Sequence, residues 1–298
     1  MTTFTTSTAE SDVTPVPVAL PVVPAPKRKR SAIVYSCYAW LGVLLCAALL
    51  AGVLPVAGYS EPVDTSRLRP GLGSIDLLLG TDSFGRSILA RCIHGAQVSL
   101  LIGLMAATAG LVVGTTLGLL GGYLGRRTDW VISLLTDAML AFPPLILLLA
   151  LASILTPSIT TITAGLTLLT IPTFVRLARA QTIAWSSREF VRAAKNMGAS
   201  NTRILIKEIL PNVLPALGAF FPIVAAALIV AEGSLSFLGF GIPSPRPSWG
   251  GMINDGRSSI ATDPHLVFVP AAVIFLTVFA LNQVGDHLRQ RFDRTMHD

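Results

Sequence analysis

The sequence predicts an all-α, polytopic membrane protein with six transmembrane helices and both termini in the cytoplasm. Three observations carry this. The 298 residues are 52% hydrophobic and only 13% charged, about half the charge of a soluble domain, which is roughly 25%, and the mean hydropathy is +0.68. Six apolar stretches each approach the ~20 residues needed to cross the hydrocarbon core. The basic residues are divided unevenly between the two sets of loops that those stretches create.

Taken in order, residues 1–26 are rich in Thr, Ser, Pro and Val and have Phe4 as their one aromatic. Such a segment has too little apolar surface to order itself, so residues 1–30 are expected to form a disordered, basic-ended cytoplasmic tail closing on Lys27, Arg28, Lys29 and Arg30. The uncharged run from Ser31 to Tyr59 is too long for the apolar region of a signal peptide, and is expected to be an uncleaved anchor. Spans are expected near 33–53, 97–122, 130–155, 158–178, 212–232 and 266–286. Residues 31–96 then hold the first span and an extracytoplasmic loop, residues 97–290 the core transmembrane domain with a cytoplasmic loop at 189–211, and residues 291–298 a cytoplasmic tail. One side collects Lys27 to Arg30, Arg126, Arg127, the seven Lys/Arg from Arg176 to Lys207, Arg289, Arg291 and Arg294; the other has Arg67, Arg69, Arg86, Arg91, Arg246 and Arg257. The basic-rich side is the cytoplasm. The net charge of +6 therefore reflects topology rather than a nucleic-acid partner.

Within the spans, Gly110, Gly114, Gly118 and Gly122 recur every fourth residue. That spacing strips one helix face of side chains and lets another helix approach closely, without saying which one. Pro143, Pro144, Pro172, Pro222 and Pro270 interrupt other spans. Each frees a backbone carbonyl, which membrane helices tolerate where neighbours or water satisfy it; kinks of this kind fit either an aqueous path or packing alone.

The polar insert from Glu189 to Pro211 is unusual in so apolar a chain. Read as a helix, Phe190, Ala194 and Met197 fall on one face with Val191 beside them, while Arg188, Arg192 and Lys195 fall on another. Gly198 is the expected C-cap, because glycine takes the left-handed turn without a Cβ clash. A second helical run from Thr202 to Leu210 is expected to end at Pro211. An apolar stripe on a cytoplasmic loop needs a cover, which points to a docking partner.

Catalytic chemistry is missing from the pattern. The sequence has no phosphate-binding Gly-x-x-x-x-Gly-Lys-Ser/Thr segment, no His-Glu-x-x-His and no Gly-x-Ser-x-Gly. Cys37, Cys46 and Cys92 have no metal-ligand spacing, and the four histidines are scattered. No catalytic residue and no metal site is expected. Asp137 in span three and Glu232 at the outer end of span five are charges in spans, which makes them candidates for the pathway or a gate; a bond to a neighbouring helix, or the outer interface, would equally house them. Outside, Gly80, Thr81, Asp82, Gly85 and Arg86 form a turn-rich segment in which Asp82 is placed to cap a following helix. The segment from Ser234 to Trp249 mixes apolar anchors with prolines, and fits either a rim or gate or a packed re-entrant lining.

These segments resemble the permeases of ABC importers. The insert is similar to their cytoplasmic EAA loop through Ala193-Ala194, Gly198 and Leu210-Pro211, with Arg192 where the family name has glutamate. The segments Leu79 to Arg86, Gly95 to Leu100, Gly121 to Gly125 with Asp129, Glu232 with Leu235 to Gly239, Pro247 to Gly250 with Gly256-Arg257, and Gly285-Asp286 resemble the second ("C") permease subunit of dipeptide, oligopeptide and nickel importers. The match runs from about residue 31 to 292.

The resemblance implies a type I importer permease fold and a subunit that is itself not an enzyme. It implies three kinds of partner besides membrane lipid: a second homologous permease, two cytoplasmic ATPase domains or subunits, and an extracytoplasmic substrate-binding protein, with no nucleic acid. ATP and Mg would be bound by the ATPases and no cofactor by this chain. The coupling helix would comprise Glu189, Phe190, Val191, Arg192, Ala193, Ala194, Lys195, Met197, Gly198 and Ala199. The expected cargo is a dipeptide or oligopeptide; nickel or another small solute is the alternative within the family. A stand-alone ion-coupled carrier is the rival outside it, and would use buried carboxylates with no ATPase.

Overall fold

The computed structural model describes residues 32–295, with side chains as far as Phe292. The tail expected over residues 1–30 lies outside the described residues, as do residues 296–298. Regular structure among the described residues is helical, apart from two isolated bridges, Pro62 to Arg86 and Thr81 to Ser87. Five helices are long and apolar enough to cross a membrane, and a bent pair of helices, taken as one span, makes a sixth.

The first span is α1 (Ala32–Leu49), apolar all round and largely uncovered by its own chain, as a lipid-facing helix must be. Two polar contacts fix it. The Trp40 indole N–H donates to Thr277 Oγ1 at 3.3 Å, and the Gln97 amide donates to the Ala48 carbonyl at 2.7 Å.

The second span is α2 (Ile88–Leu124), whose 37 residues make it about 55 Å long. It exceeds the expected 97–122 at its outer end and stands clear of a ~30 Å hydrocarbon core. Its N-cap is Ser87, which accepts from the Ala90 N–H at 3.2 Å. The glycine row finds its partner in α5 (Ile159–Ser186). A Cβ on Gly118 would stand 2.6 Å from Ala178 Cβ, and one on Gly122 2.8 Å from Thr182 Cβ; Gly110 and Gly114 meet Thr170 and Phe174 in the same way. Two rows of every-fourth residues thus interlock, and the absence of side chains on one row sets how closely the axes approach.

Span three is not one straight helix. It is α3 (Arg126–Leu140) followed by α4 (Pro144–Ile154), bent by 80°. The cause is the pair Pro143-Pro144. A residue before proline is pushed out of the α region, and Pro143 accordingly has φ −58° and ψ 126°, with Pro144 opening the next helix.

The polar insert begins with α6 (Glu189–Asn196) and a single turn, α7 (Asn201–Arg203). The expected stop at Pro211 does not occur. A widened π turn over Ile204–Ile209 runs straight into α8 (Leu210–Leu235), with Pro211 in its first turn. Proline has no N–H and its ring crowds the carbonyl four residues back. The wider turn relieves that crowding by bonding the Leu210 N–H five residues back, to Leu205 O. The cytoplasmic elbow is therefore continuous with span five.

Beyond α8 a second wide turn, Ser236–Phe240, carries Gly239 at φ 91° and turns the chain. It leads to the short outer helix α9 (Trp249–Gly256) and then to α10 (His265–Thr295), which absorbs the first residues of the expected C-terminal tail. Of the two readings left open for 234–249, packing describes its ends. Trp249 is fully buried, its indole donates to Cys92 O at 3.0 Å, and Gly250 lies against the backbone of Gly233. The core is shared by α2, α5 and α8, through Ile102, Ala106, Leu166, Phe174, Val213 and Leu217.

Candidate functional site: a cytoplasmic elbow and an outer rim

The elbow is built by packing one face of α6 onto the widened turn that runs into α8. Val191 and Ala194 are buried among Ile204, Leu205 and Ile209 of the widened turn. This corrects the expected stripe. At ~3.6 residues per turn either Ala193 or Ala194 can join Phe190 and Met197, and the buried pair three residues apart decides. Ala194 joins Val191 inside, so the outward ridge is Phe190, Ala193 and Met197, with Met197 81% exposed. Arg192 and Lys195 are also exposed. Glu189 in the first turn and Lys195 in the last complement the helix dipole.

The end of α6 follows the sequence expectation. Gly198 has φ 82°, its N–H donates to Lys195 O at 3.0 Å, and the Ala199 N–H donates to Ala194 O at 3.1 Å. This is the paired closure of a glycine-capped helix. The start is held by Trp185, which packs against the Phe190 ring at 6.2 Å and lies under the Arg188 guanidinium at 5.4 Å. Tyr123 near the end of α2 donates to Asn201 Oδ1 at 3.4 Å, so the elbow lies at the C-terminal end of α2.

The two carboxylates expected in spans have opposite settings. Asp137 is at the surface of this chain, 63% exposed, and accepts from Arg176 Nη2 at 2.8 Å; Arg176 is 61% exposed. One turn of α5 further on, Arg179 grips both oxygens of Asp129 and ties the start of α3 to α5. Glu232 is 1% exposed. It accepts from Ser99 Oγ at 3.0 Å and Ser236 Oγ at 2.7 Å, and Ser248 Oγ donates to Ser236 at 3.3 Å. Ser99 also accepts from the Trp249 N–H at 3.4 Å. Glu232 thereby joins α2, α8, the wide turn and α9 in one buried network. The three serines lie in the resembling segments Gly95 to Leu100, Leu235 to Gly239 and Pro247 to Gly250, which assign them no role; what marks them is the carboxylate that they surround.

At the other end of α2 the segment Gly80–Arg86 is a rigid turn. Asp82 accepts from the Phe84 N–H at 2.8 Å, the Arg86 N–H at 3.0 Å and Arg86 Nε at 2.7 Å. Its carboxylate is saturated by its own turn, which is why it does not cap α2 and Ser87 does. Thr81 is fully buried, donating to Thr65 O at 2.7 Å and accepting from the Leu68 N–H at 2.8 Å. Gly80 and Gly85 have φ 83° and 77°, and a Cβ on either would strike the backbone of the preceding loop, at Leu68 and Asp64. The turn also places Arg91, missed because span two was expected to begin at residue 97. No group of three or more potential metal ligands exists among the described residues.

Residues 114–298 match the family described as binding-protein-dependent transport system inner membrane component. The chain is 39% identical over 249 residues to the dipeptide transport system permease protein DppC of Alkalihalophilus pseudofirmus, covering 84% of this chain and 81% of that one. It is 37% identical over 251 residues to the glutathione transport system permease protein GsiD of Pectobacterium atrosepticum, covering 84% and 83%. A solved inward-facing structure of the MetNI methionine ABC transporter superposes with a TM-score of 0.58 at 18% identity, over 69% of this chain and 97% of that one. That likeness establishes the fold of an ABC importer permease.

Proposed function

The chain belongs to the family of binding-protein-dependent transport system inner membrane components, and from that premise we propose that it carries dipeptides or oligopeptides across the cytoplasmic membrane as one permease of an ATP-driven importer. It is a multi-pass inner-membrane subunit, does no catalysis itself, and works with an ATPase and further components of the importer. In the fuller assembly that we propose, a second homologous permease completes the path, two ATPase domains holding ATP and Mg sit beneath, and a binding protein delivers cargo from outside. The cargo assignment is supported by relatives named for dipeptide and glutathione transport, both peptides.

The observation that carries the mechanism is the two-faced seating of α6. Its inner face, Val191 and Ala194, is packed on the widened turn at the start of α8, while Phe190 and Met197 are exposed with Arg192 and Lys195 around them. A groove on the ATPase that holds the outer face moves α6 when nucleotide closes the ATPase pair. Because α6 is seated on the turn that runs into α8, the movement reaches a spanning helix. Such a change is a rigid-body shift between discrete packings, and nucleotide biases it only through its different affinity for the two states. Asp137, on the exposed surface of α3 with Arg176, is our candidate for the pathway wall; Glu232 is our candidate for holding the outer end of α8.

Two measurements test this reading. A strain lacking the chain is expected to lose uptake of labelled dipeptide and to regain it with the intact gene. Replacing residues 189–199 by a Gly/Ser linker is expected to release the ATPase from the purified complex. Unchanged dipeptide uptake in the deletion strain overturns the cargo, and an ATPase still held by the linker variant overturns the coupling role.

A further inference from the structure

The outer end of the molecule has an open recess of about 300 Å³ between the Gly80–Arg86 turn, the start of α2, α9 and the start of α10. Four charged side chains line it, Asp82, Arg86, Arg91 and Asp255, with Phe84 and Met252 among the apolar ones. It lies at the opposite end of α2 from the elbow, and by the distribution of basic residues it opens outside the membrane.

The four charges are not equally satisfied. Asp82 is saturated by its own turn and by Arg86, and Arg91 Nε also approaches it at 3.4 Å. Arg91 is 3% exposed, and its other contacts are long, 3.4 Å to Tyr59 O and 3.5 Å to Asp255. Asp255 is the accessible member. Its side chain is 48% exposed, and the one salt bridge it makes among the described residues is the 3.5 Å contact with Arg91. Burial raises its carboxyl above the ordinary aspartate range despite the arginines that draw it down. The cavity thus presents a carboxylate with room for a better partner. At its edge Phe84 is 69% exposed, with the Arg86 guanidinium 4.6 Å from its ring centre.

We propose that this cavity is a docking socket for the extracytoplasmic binding protein, receiving one of its lysine or arginine side chains with Asp255 as counter-ion and Phe84 as the apolar rim. The proposal rests on the reading of the chain as a binding-protein-dependent permease. A long basic side chain lays its stem on apolar surface and places its head on a carboxylate, and Met252, Phe84 and Asp255 offer both. The occupant follows from the side and from the character of the site. The family depends on a protein that arrives from outside, where the cavity opens. Permanently paired subunits bury apolar surface with few charges at the centre, whereas this recess is charged and open. Its walls are also set in advance by the bonds of Thr81 and Asp82, and a preorganised charged site suits a partner that must arrive quickly and leave.

The test uses the assembled transporter in proteoliposomes, with ATP hydrolysis titrated against its binding protein at low and high salt. Asp255→Asn is expected to raise the half-saturating concentration of binding protein by roughly tenfold and to flatten its salt dependence, with Asp255→Glu recovering part of the loss. A photoreactive phenylalanine analogue at position 84 is expected to crosslink to the binding protein. An unmoved half-saturation in Asp255→Asn, or a crosslink to the second permease alone, overturns the socket. So does an Asp255→Asn effect seen with free-amine peptides and not with N-acetylated ones, since the cation is then the cargo's. A wild-type assembly that hydrolyses ATP without any response to the binding protein overturns the permease reading together with the socket; a responsive wild type beside an unmoved variant overturns the socket alone.

Discussion

Gly198 separates two demands that one residue can make, a backbone conformation and a surface free of charge. It sits at φ 82°, and a Cβ built there meets nothing within 4 Å. Within this chain an added Cβ therefore meets no neighbour, and what remains is the cost of holding a side chain in the left-handed region, about 1–2 kcal/mol. That corresponds to a roughly 5- to 30-fold drop in the population of the closed elbow. Asparagine tolerates this conformation far better than alanine, and aspartate has the same shape as asparagine with a negative charge. The expected order of ATP-driven peptide uptake in proteoliposomes is therefore Gly198→Asn above Gly198→Ala, with Gly198→Asp abolished. The last step assumes that Arg188, Arg192 and Lys195 face acidic groups on the ATPase, which a new carboxylate would repel. Membrane insertion is expected to be intact in all three. Normal uptake by Gly198→Ala refutes the conformational argument, and an aspartate variant equal to the asparagine variant refutes the acidic groove.

Three further outcomes follow from packing and exposure. Gly118→Val drives two methyl groups into Ala178, where even a Cβ stands 2.6 Å away, and is expected to destabilise the α2–α5 pair by about 1–3 kcal/mol or more; a normal level of folded protein in the membrane refutes the close approach. Glu232→Ala leaves the Ser99 and Ser236 hydroxyls without their shared acceptor, a loss of roughly 1–3 kcal/mol, to be read as a lower unfolding midpoint of the purified complex; an unchanged midpoint refutes the anchoring role. Asp137→Asn is expected to change stability by less than about 1 kcal/mol, because its pair with Arg176 is exposed on both sides. Uptake that is also unchanged would remove Asp137 from the pathway.

Much of the fold was written in periodicities that depend only on local chain geometry. The glycine row at 110–122 showed that a close helix neighbour exists, yet the neighbour's row, Thr170, Phe174, Ala178 and Thr182, has no compositional mark of its own and emerges only from packing. Pro143-Pro144 announced a kink, but its size, 80°, depends on how α4 settles against α5. Pro211 misled for a physical reason. In a regular helix it would be a stop, whereas a turn widened by one residue absorbs it. The elbow's outward face was one residue wrong because Ala193 and Ala194 are chemically identical and only burial beside Val191 distinguishes them. The Gly and Asp turn chemistry of residues 80–86 makes Asp82 able to cap a following helix; its engagement by Arg86 instead is a matter of turn geometry that composition does not encode.

These pieces join in α8. From Asn201 to Leu235 the chain is continuously helical, a rod of roughly 50 Å at ~1.5 Å per residue. Its cytoplasmic end is loaded by α6 through Val191 and Ala194, and its outer end is pinned by Glu232 to α2 and α9. A rod held at one end and pushed at the other tilts about the held end. A tilt of about 10° over roughly 50 Å moves the loaded end by about 9 Å, more than the one-turn shift of ~5.4 Å that separates discrete helix packings. Pro215 and Pro222 lie inside the rod and offer the competing outcome, a bend that leaves the outer end at rest. The two are separable by spin labels at exposed sites on α8 on either side of Pro222, Leu214 and Val230. Tilting about the held end keeps the distance between them constant when ATP binds, while Leu214, far from Glu232, moves relative to α1 and Val230, beside it, hardly moves. A change in that distance places a hinge at Pro215 or Pro222, between the two labels, and removes the outer network from the transmission of force.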